Sequence, residues 1–151
     1  MMKKSLLTIS FAGALLSVAI TVQAKDEQMM MPIEAAFAQT GTRANVDGSV
    51  KYFFGKQKPP GKILQKLGSD TTSQKSNAFG KENSVSCNTA FLSGMISFQK
   101  RAQELGANAV INIVSNYKHV EMSSETEYEC HVGAIMSGAA FKGDFVKISD
   151  K

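Results

Sequence analysis

The chain has 151 residues, 43% of them apolar and 20% charged, with a formal charge of +4. That length suits one domain with a core small enough for a covalent staple to matter. Lys3 and Lys4 supply two of the positive charges, and without the first 24 residues the charge falls to +2, carried by scattered lysines with no aromatic-interleaved basic run, which argues against a nucleic-acid partner.

Residues 1–24 begin with that lysine pair, run apolar over residues 6–20 and end in Val22-Gln23-Ala24, small residues at the positions a signal peptidase reads. The apolar run is shorter than the ~20 residues of a membrane-spanning helix. It is also broken by Thr8, Ser10, Gly13 and Ser17. Cleavage after Ala24 is therefore expected, sending the remainder to the periplasm or out of the cell. No cysteine stands near the cut to take a diacylglycerol, so no stable membrane anchor is expected.

Residues 25–45 read as an N-terminal arm. Met29-Met30-Met31 precede Pro32 and an apolar stretch that ends before Gly41, a pattern that allows a short helix. Adjacent methionines fit gap-filling contacts or a mobile arm better than thioether ligation of copper(I).

Residues 46–151 read as one α+β domain. Val50-Lys51-Tyr52-Phe53-Phe54 has the aromatic content of a strand. Residues 55–86 are rich in Gly, Lys, Ser, Gln, Thr and Asn, and predict a long polar surface loop with one short strand at 62–67. Within it, residues 55–63 come nearest to a phosphate-binding loop and fail. Five residues separate Gly55 from Gly61 where four are needed, Ile63 stands in place of the magnesium-binding hydroxyl, and Pro59 and Pro60 lack the N–H groups that cradle phosphate.

From Cys87 the pattern turns helical. Phe91, Met95, Phe98, Ala102 and Leu105 form one stripe, Ser86 or Asn88 can cap its start, and Gly106 stands where a left-handed stop is wanted. Ala109, Ile111 and Ile113 then alternate with asparagines in a strand over 108–117, followed by a polar turn over 117–124. Glu125, Glu127 and Glu129 alternate with Thr126, Tyr128 and Cys130, predicting a wet acidic face and an inward face. A small-residue apolar run over 132–141, a turn at Lys142-Gly143-Asp144 and a last strand over 145–148 complete the chain. The whole predicts one main helix packed on a small, mostly antiparallel sheet of β-α-β-β type.

Cys87 and Cys130 are the only cysteines, and in an oxidising compartment such a pair closes. Bridging about 43 residues is worth about 4 kcal/mol in the chain-entropy picture. There is no C-x-x-C motif, and the spacing is not that of a metal-ligand pair.

His119 and His131 are the only imidazoles. If the hairpin folds back, they and Glu125 and Glu127 would make a weak divalent-cation site; otherwise His119 is a solvated turn residue, the glutamates are a wet strand face, and no cofactor is expected. Ser123-Ser124 near His119 lacks a nucleophile elbow, and the acids sit one per pleat rather than in a cleft, so no enzyme is expected.

The phrase Gln103-Glu104-Leu105-Gly106-Ala107-Asn108-Ala109-Val110-Ile111-Asn112-Ile113, with cysteines before the helix and in a later strand, resembles the YbjQ family and the related RcsF-like envelope sensors. The resemblance spans residues 87–148. It implies a β-α-β-β fold, and either a heavy-metal-binding domain in a homo-oligomeric ring or a disulfide-bonded signalling module. Exported chains of this look are sometimes called excinuclease ATPase subunits, a mechanism that the failed phosphate loop excludes. Two expectations follow: a binding or stress-sensor module with a protein partner in the envelope, or a metal-stress protein using His119, His131 and nearby acids.

Overall fold

The computed structural model of the chain describes residues 25–39 and 46–150. The expected signal peptide, residues 1–24, lies outside the described residues, as do residues 40–45 of the arm. In chain order the elements are β1 (Glu27–Pro32), α1 (Ile33–Ala38), β2 (Lys51–Phe54), β3 (Ile63–Asn77), α2 (Asn83–Leu105), β4 (Ala109–Tyr117), β5 (Val120–Met122), β6 (Glu127–Val132) and β7 (Met136–Ile148). This is an α+β fold, with one dominant helix against a curled, mostly antiparallel sheet.

Helix α2 follows its predicted stripe: Phe91, Met95, Phe98 and Ala102 are all buried. It begins four residues before Cys87, so Ser86 and Asn88 lie within its first turns and do not cap it. Gly106 ends it with φ 74°, its N–H donating to the carbonyls of Ala102 and Gln103. Phe91 is the aromatic hub, with ring contacts to Phe37, Phe54, Tyr128 and Phe141.

Strand β7 is the spine of the sheet. Along one side it pairs antiparallel with β3 from Asn77↔Met136 to Ile63↔Ile148. Its other side is shared between β6, at His131↔Gly138, and β4, at Ala109↔Val146. Beyond these, β1 pairs with β6, β2 runs parallel to β4, and β5 folds back on β4. Among the described residues no helix is long and apolar enough to cross a membrane.

Three local expectations are corrected. The 55–86 segment is not one long loop: β3 occupies Ile63–Asn77 and α2 begins at Asn83, leaving only 55–62 and 78–82 as connections. Its sequence hides this because it is an edge strand in which Thr72 and Ser76 supply the buried positions, so no apolar alternation marks it and its pairing with β7 is non-local. Lys142-Gly143-Asp144 is no turn but the middle of β7. Gly143 is there because a Cβ would come within 2.7 Å of Val110 Cγ1 and 3.3 Å of Phe98 Cε2.

The third correction concerns β4. Both its neighbours skip a residue against it, Tyr52/Phe54 opposing Val110/Ile113 and Asp144/Lys142 opposing Ile111/Val114. The extra residue is thus in β4, where Asn112 adopts φ 52°, a conformation asparagine tolerates better than most. The bulge shifts the alternation. Val110 and Ile113 enter the core under α2, while Ala109 and Ile111 join Val146 and Ile148 in a second cluster on the opposite face, with Phe53 packed against it. In the arm, α1 is the short helix that the sequence allows, and Met31, in β1, is buried in the main core with Met29 packed against it, as gap-filling contacts require.

The disulfide forms as expected. Cys87 near the start of α2 bonds Cys130 in β6 across a Cα–Cα distance of 5.9 Å, and both residues are fully buried. Beside it the Tyr128 hydroxyl donates to Asn88 Oδ1 at 2.7 Å, and burial pushes that phenol's pKa well above its usual range.

Candidate functional site

The sheet face turned away from α2 is only partly covered. Residues 55–62 cross it and leave a groove of about 990 Å³ whose lining includes Pro59, Ile63, Asn112 and Asp144, with Ile111 and Val146 buried beneath. Four lysines stand around it: Lys56, Lys58 and Lys62 from the connection and Lys66 from β3. All four are exposed. Among the described residues none of them lies within ion-pair distance of a carboxylate.

Asp144 is the single acid among the lining residues. Its two oxygens are engaged: the Ser69 hydroxyl donates to Oδ1, and Asn112 Nδ2 donates to Oδ2 at 2.7 Å. The bulge that tilts Asn112 into left-handed backbone thus also turns its amide onto Asp144. What remains is a concave surface with a net excess of positive charge.

The connection is held at both ends, so the groove is preformed. At its start Gly55 N–H donates to the Ile113 carbonyl at 2.9 Å, and Gln57 Oε1 accepts from Phe54 N–H at 2.8 Å. At its end Lys62 N–H donates to Ser149 Oγ at 3.0 Å, and Ser149 N–H to the Lys62 carbonyl at 2.9 Å. Gly61 makes that closure possible, since a Cβ there would meet the Ser149 carbonyl oxygen at 2.2 Å.

The residues singled out in the sequence are placed elsewhere. His131, on β6, stacks on Tyr117 at 3.4 Å and is pinned between two carboxylates, Asp26 Oδ1 at 2.7 Å from Nδ1 and Glu129 Oε1 at 2.6 Å from Nε2. The hydrogen bond from His131 holds the Asp26 carboxyl below its usual range, with the Tyr117 hydroxyl and Lys118 adding to it. Glu129 is buried, not part of a wet face, because it faces His131 and its N–H donates to Ser115 Oγ at 2.9 Å.

His119 lies in the two-residue turn between β4 and β5, where it and Lys118 have φ of 64° and 49°. Both positive values make a type I′ hairpin built from residues that do not favour it. Glu125 and Glu127 are exposed. Among the described residues no three His, Cys, Asp or Glu side chains converge as a metal site requires. A cation needs ligand atoms aimed at one point, whereas the ring nitrogens of His131 point apart and each already holds an oxygen.

No family model, curated protein or solved structure matches the chain. The groove was hidden in the sequence because its lysines, at positions 56, 58, 62 and 66, straddle a connection and a strand. The only local signal was three lysines between Phe54 and Ile63, the stretch that fails as a phosphate loop.

Proposed function

We propose that this chain is a non-enzymatic binding or sensor module of the cell envelope, exported by cleavage after Ala24, stapled by Cys87–Cys130, and capturing an anionic envelope component in its lysine-lined groove. One observation carries the reading: four lysines without acidic partners surround a preformed groove of about 990 Å³. A low-dielectric concavity lined by one sign of charge concentrates the opposite sign. The closed disulfide supports the oxidising address. The non-enzymatic reading draws on His131, whose two nitrogens are taken by carboxylates and face neither a hydroxyl nor a thiol.

Two measurements test this. Mass spectrometry of the envelope fraction should find a chain that begins at Lys25 and is lighter by two hydrogens than its reduced form; an intact Met1 with free thiols would contradict the address. Inorganic phosphate at low ionic strength should raise the melting temperature of the purified chain and lose that effect when Lys56, Lys58 and Lys62 are changed to Glu. A melting temperature indifferent to the anion would remove the groove as a binding surface.

A further inference from the structure

The geometry points to a reversible membrane contact at the end of the sheet where β3 gives way to α2: Phe79 and Ile135 dip into an anionic bilayer surface, and Lys75 and Lys81 meet its headgroups. Phe79 is 75% exposed and Ile135 63%. Single exposed apolar residues need no explanation, but these two stand on adjoining turns. Val85 and Met136, also exposed, belong to the same end of the molecule, since the Ser86 and Ser137 hydroxyls share a hydrogen bond of 2.8 Å.

Both turns are held by their own backbone. The first is closed by Lys81 N–H donating to the Ala78 carbonyl at 3.1 Å, with Gly80 at φ 68°, which puts Phe79 at the corner of a type II turn. In the second, Gly133 N–H donates to the Met136 carbonyl at 2.8 Å, leaving Ala134 and Ile135 at the tip of the β6–β7 hairpin. Ala78 N–H donates to the Ile135 carbonyl at 2.9 Å and so ties one turn to the other. Phe79 N–H is taken by Asn77 Oδ1, also at 2.9 Å. The N–H groups of Ala78, Phe79, Lys81 and Gly133 therefore bring little desolvation cost to an apolar surface.

Charge selects the partner. Lys75 and Lys81 are exposed, and among the described residues neither lies within ion-pair distance of a carboxylate. Of the acids at this end, Asp26 is held by His131 and Glu27 by Lys25, which leaves Glu82 against two lysines. A projecting pair of turn corners is a narrow contact, whereas a stable protein interface covers about 800 Å² on each partner. Apolar tips flanked by cations fit a lipid surface, where hydrocarbon lies just beneath anionic headgroups. The lysine groove reaches β3 toward its other end and shares no residue with this tip, so the two surfaces stand or fall separately.

The chain has no tryptophan, so Phe79→Trp supplies a single indole reporter. At low ionic strength the oxidised Phe79→Trp chain should float with vesicles of equal phosphatidylglycerol and phosphatidylcholine. Its emission should shift to the blue and be quenched by acyl-brominated lipid. Binding to pure phosphatidylcholine, or of the Lys75→Glu, Lys81→Glu double variant to the mixed vesicles, should be about tenfold weaker or more. Phe79→Ser and Ile135→Ser should each cost about tenfold in vesicle affinity, with melting temperatures unchanged because both side chains are exposed. Glu at Lys56, Lys58 and Lys62 should leave flotation in place.

Flotation that survives both serine changes, or that is lost only with the groove lysines, would put the membrane contact elsewhere and overturn the tip. Equal capture by neutral vesicles would overturn its anionic partner. Self-association in sedimentation that disappears with Phe79→Ser would make the tip a contact between copies and overturn the bilayer. Absence of flotation and of any blue shift would remove the tip as a membrane surface, while stabilisation by phosphate would still report on the groove alone.

Discussion

Asn112 and Gly143 show how single positions set the two faces of the sheet. The left-handed backbone of Asn112 sends Val110 to one core and Ile111 to the other, and Gly143 lets β4 and α2 close over β7 where a methyl group has no room. Gly143→Ala should therefore destabilise by about 1–3 kcal/mol through overpacking against Val110 and Phe98, read from denaturant melts. A neutral result would mean that these elements sit further apart than described. His119 makes the opposite prediction. Its positive φ strains the β4–β5 turn, so His119→Gly should stabilise by about 1 kcal/mol, and a loss of stability would show that the imidazole holds something in place. Neither effect was legible in the sequence, where Ile111 and Ile113 read as one face and residues 142–144 as a turn, because a bulge and a close approach both depend on what packs opposite.

At the scale of elements, the covalent tie from α2 to β6 carries the clearest energetic expectation. Cys87 and Cys130 close a loop of separation 43, so either Cys→Ser change should cost about 4 kcal/mol and the double variant little more than a single one, because the same bond is lost each time. Additive losses in denaturant titrations would mean that the two sulfurs act apart. The β1 arm is tied by charge as well as by pairing. Asp26 has its folded pKa depressed below the unfolded value of about 3.9, so its contribution is present above that pH and is lost as pH falls through the lower folded value. Amide exchange over Glu27–Pro32 should accelerate in that acid window in the wild type. Asp26→Asn should already exchange faster at neutral pH and show less of the acid step; identical profiles would remove Asp26 as the latch.

The elements differed in legibility for a reason visible in their burial. Helix α2 was read from its stripe because Phe91, Met95, Phe98 and Ala102 face one continuous core. Strand β3 was not, because its inward residues are Thr72 and Ser76 and its partner lies more than fifty residues on in the sequence. The cysteine pair was legible from composition and compartment alone. Glu129 was misread because alternation assigns a side and not a neighbour, and its neighbour is His131.

For the whole molecule, the described fold divides its labour between two sheet faces. One is closed by α2, the aromatic hub and the disulfide; the other carries a small apolar cluster beneath a fixed lysine-bearing connection. The lysine spacing was in plain view, yet its meaning depends on β3 lying along β7 to bring Lys66 beside residues 55–62. The most direct test is to follow backbone amide chemical shifts of the oxidised chain as inorganic phosphate is added at low ionic strength. The largest changes are expected over residues 55–69, at Ile111 and Asn112, and over residues 144–146. Changes centred instead on the Lys118-His119 turn and His131, or no changes at all, would contradict the groove as the surface through which this protein binds.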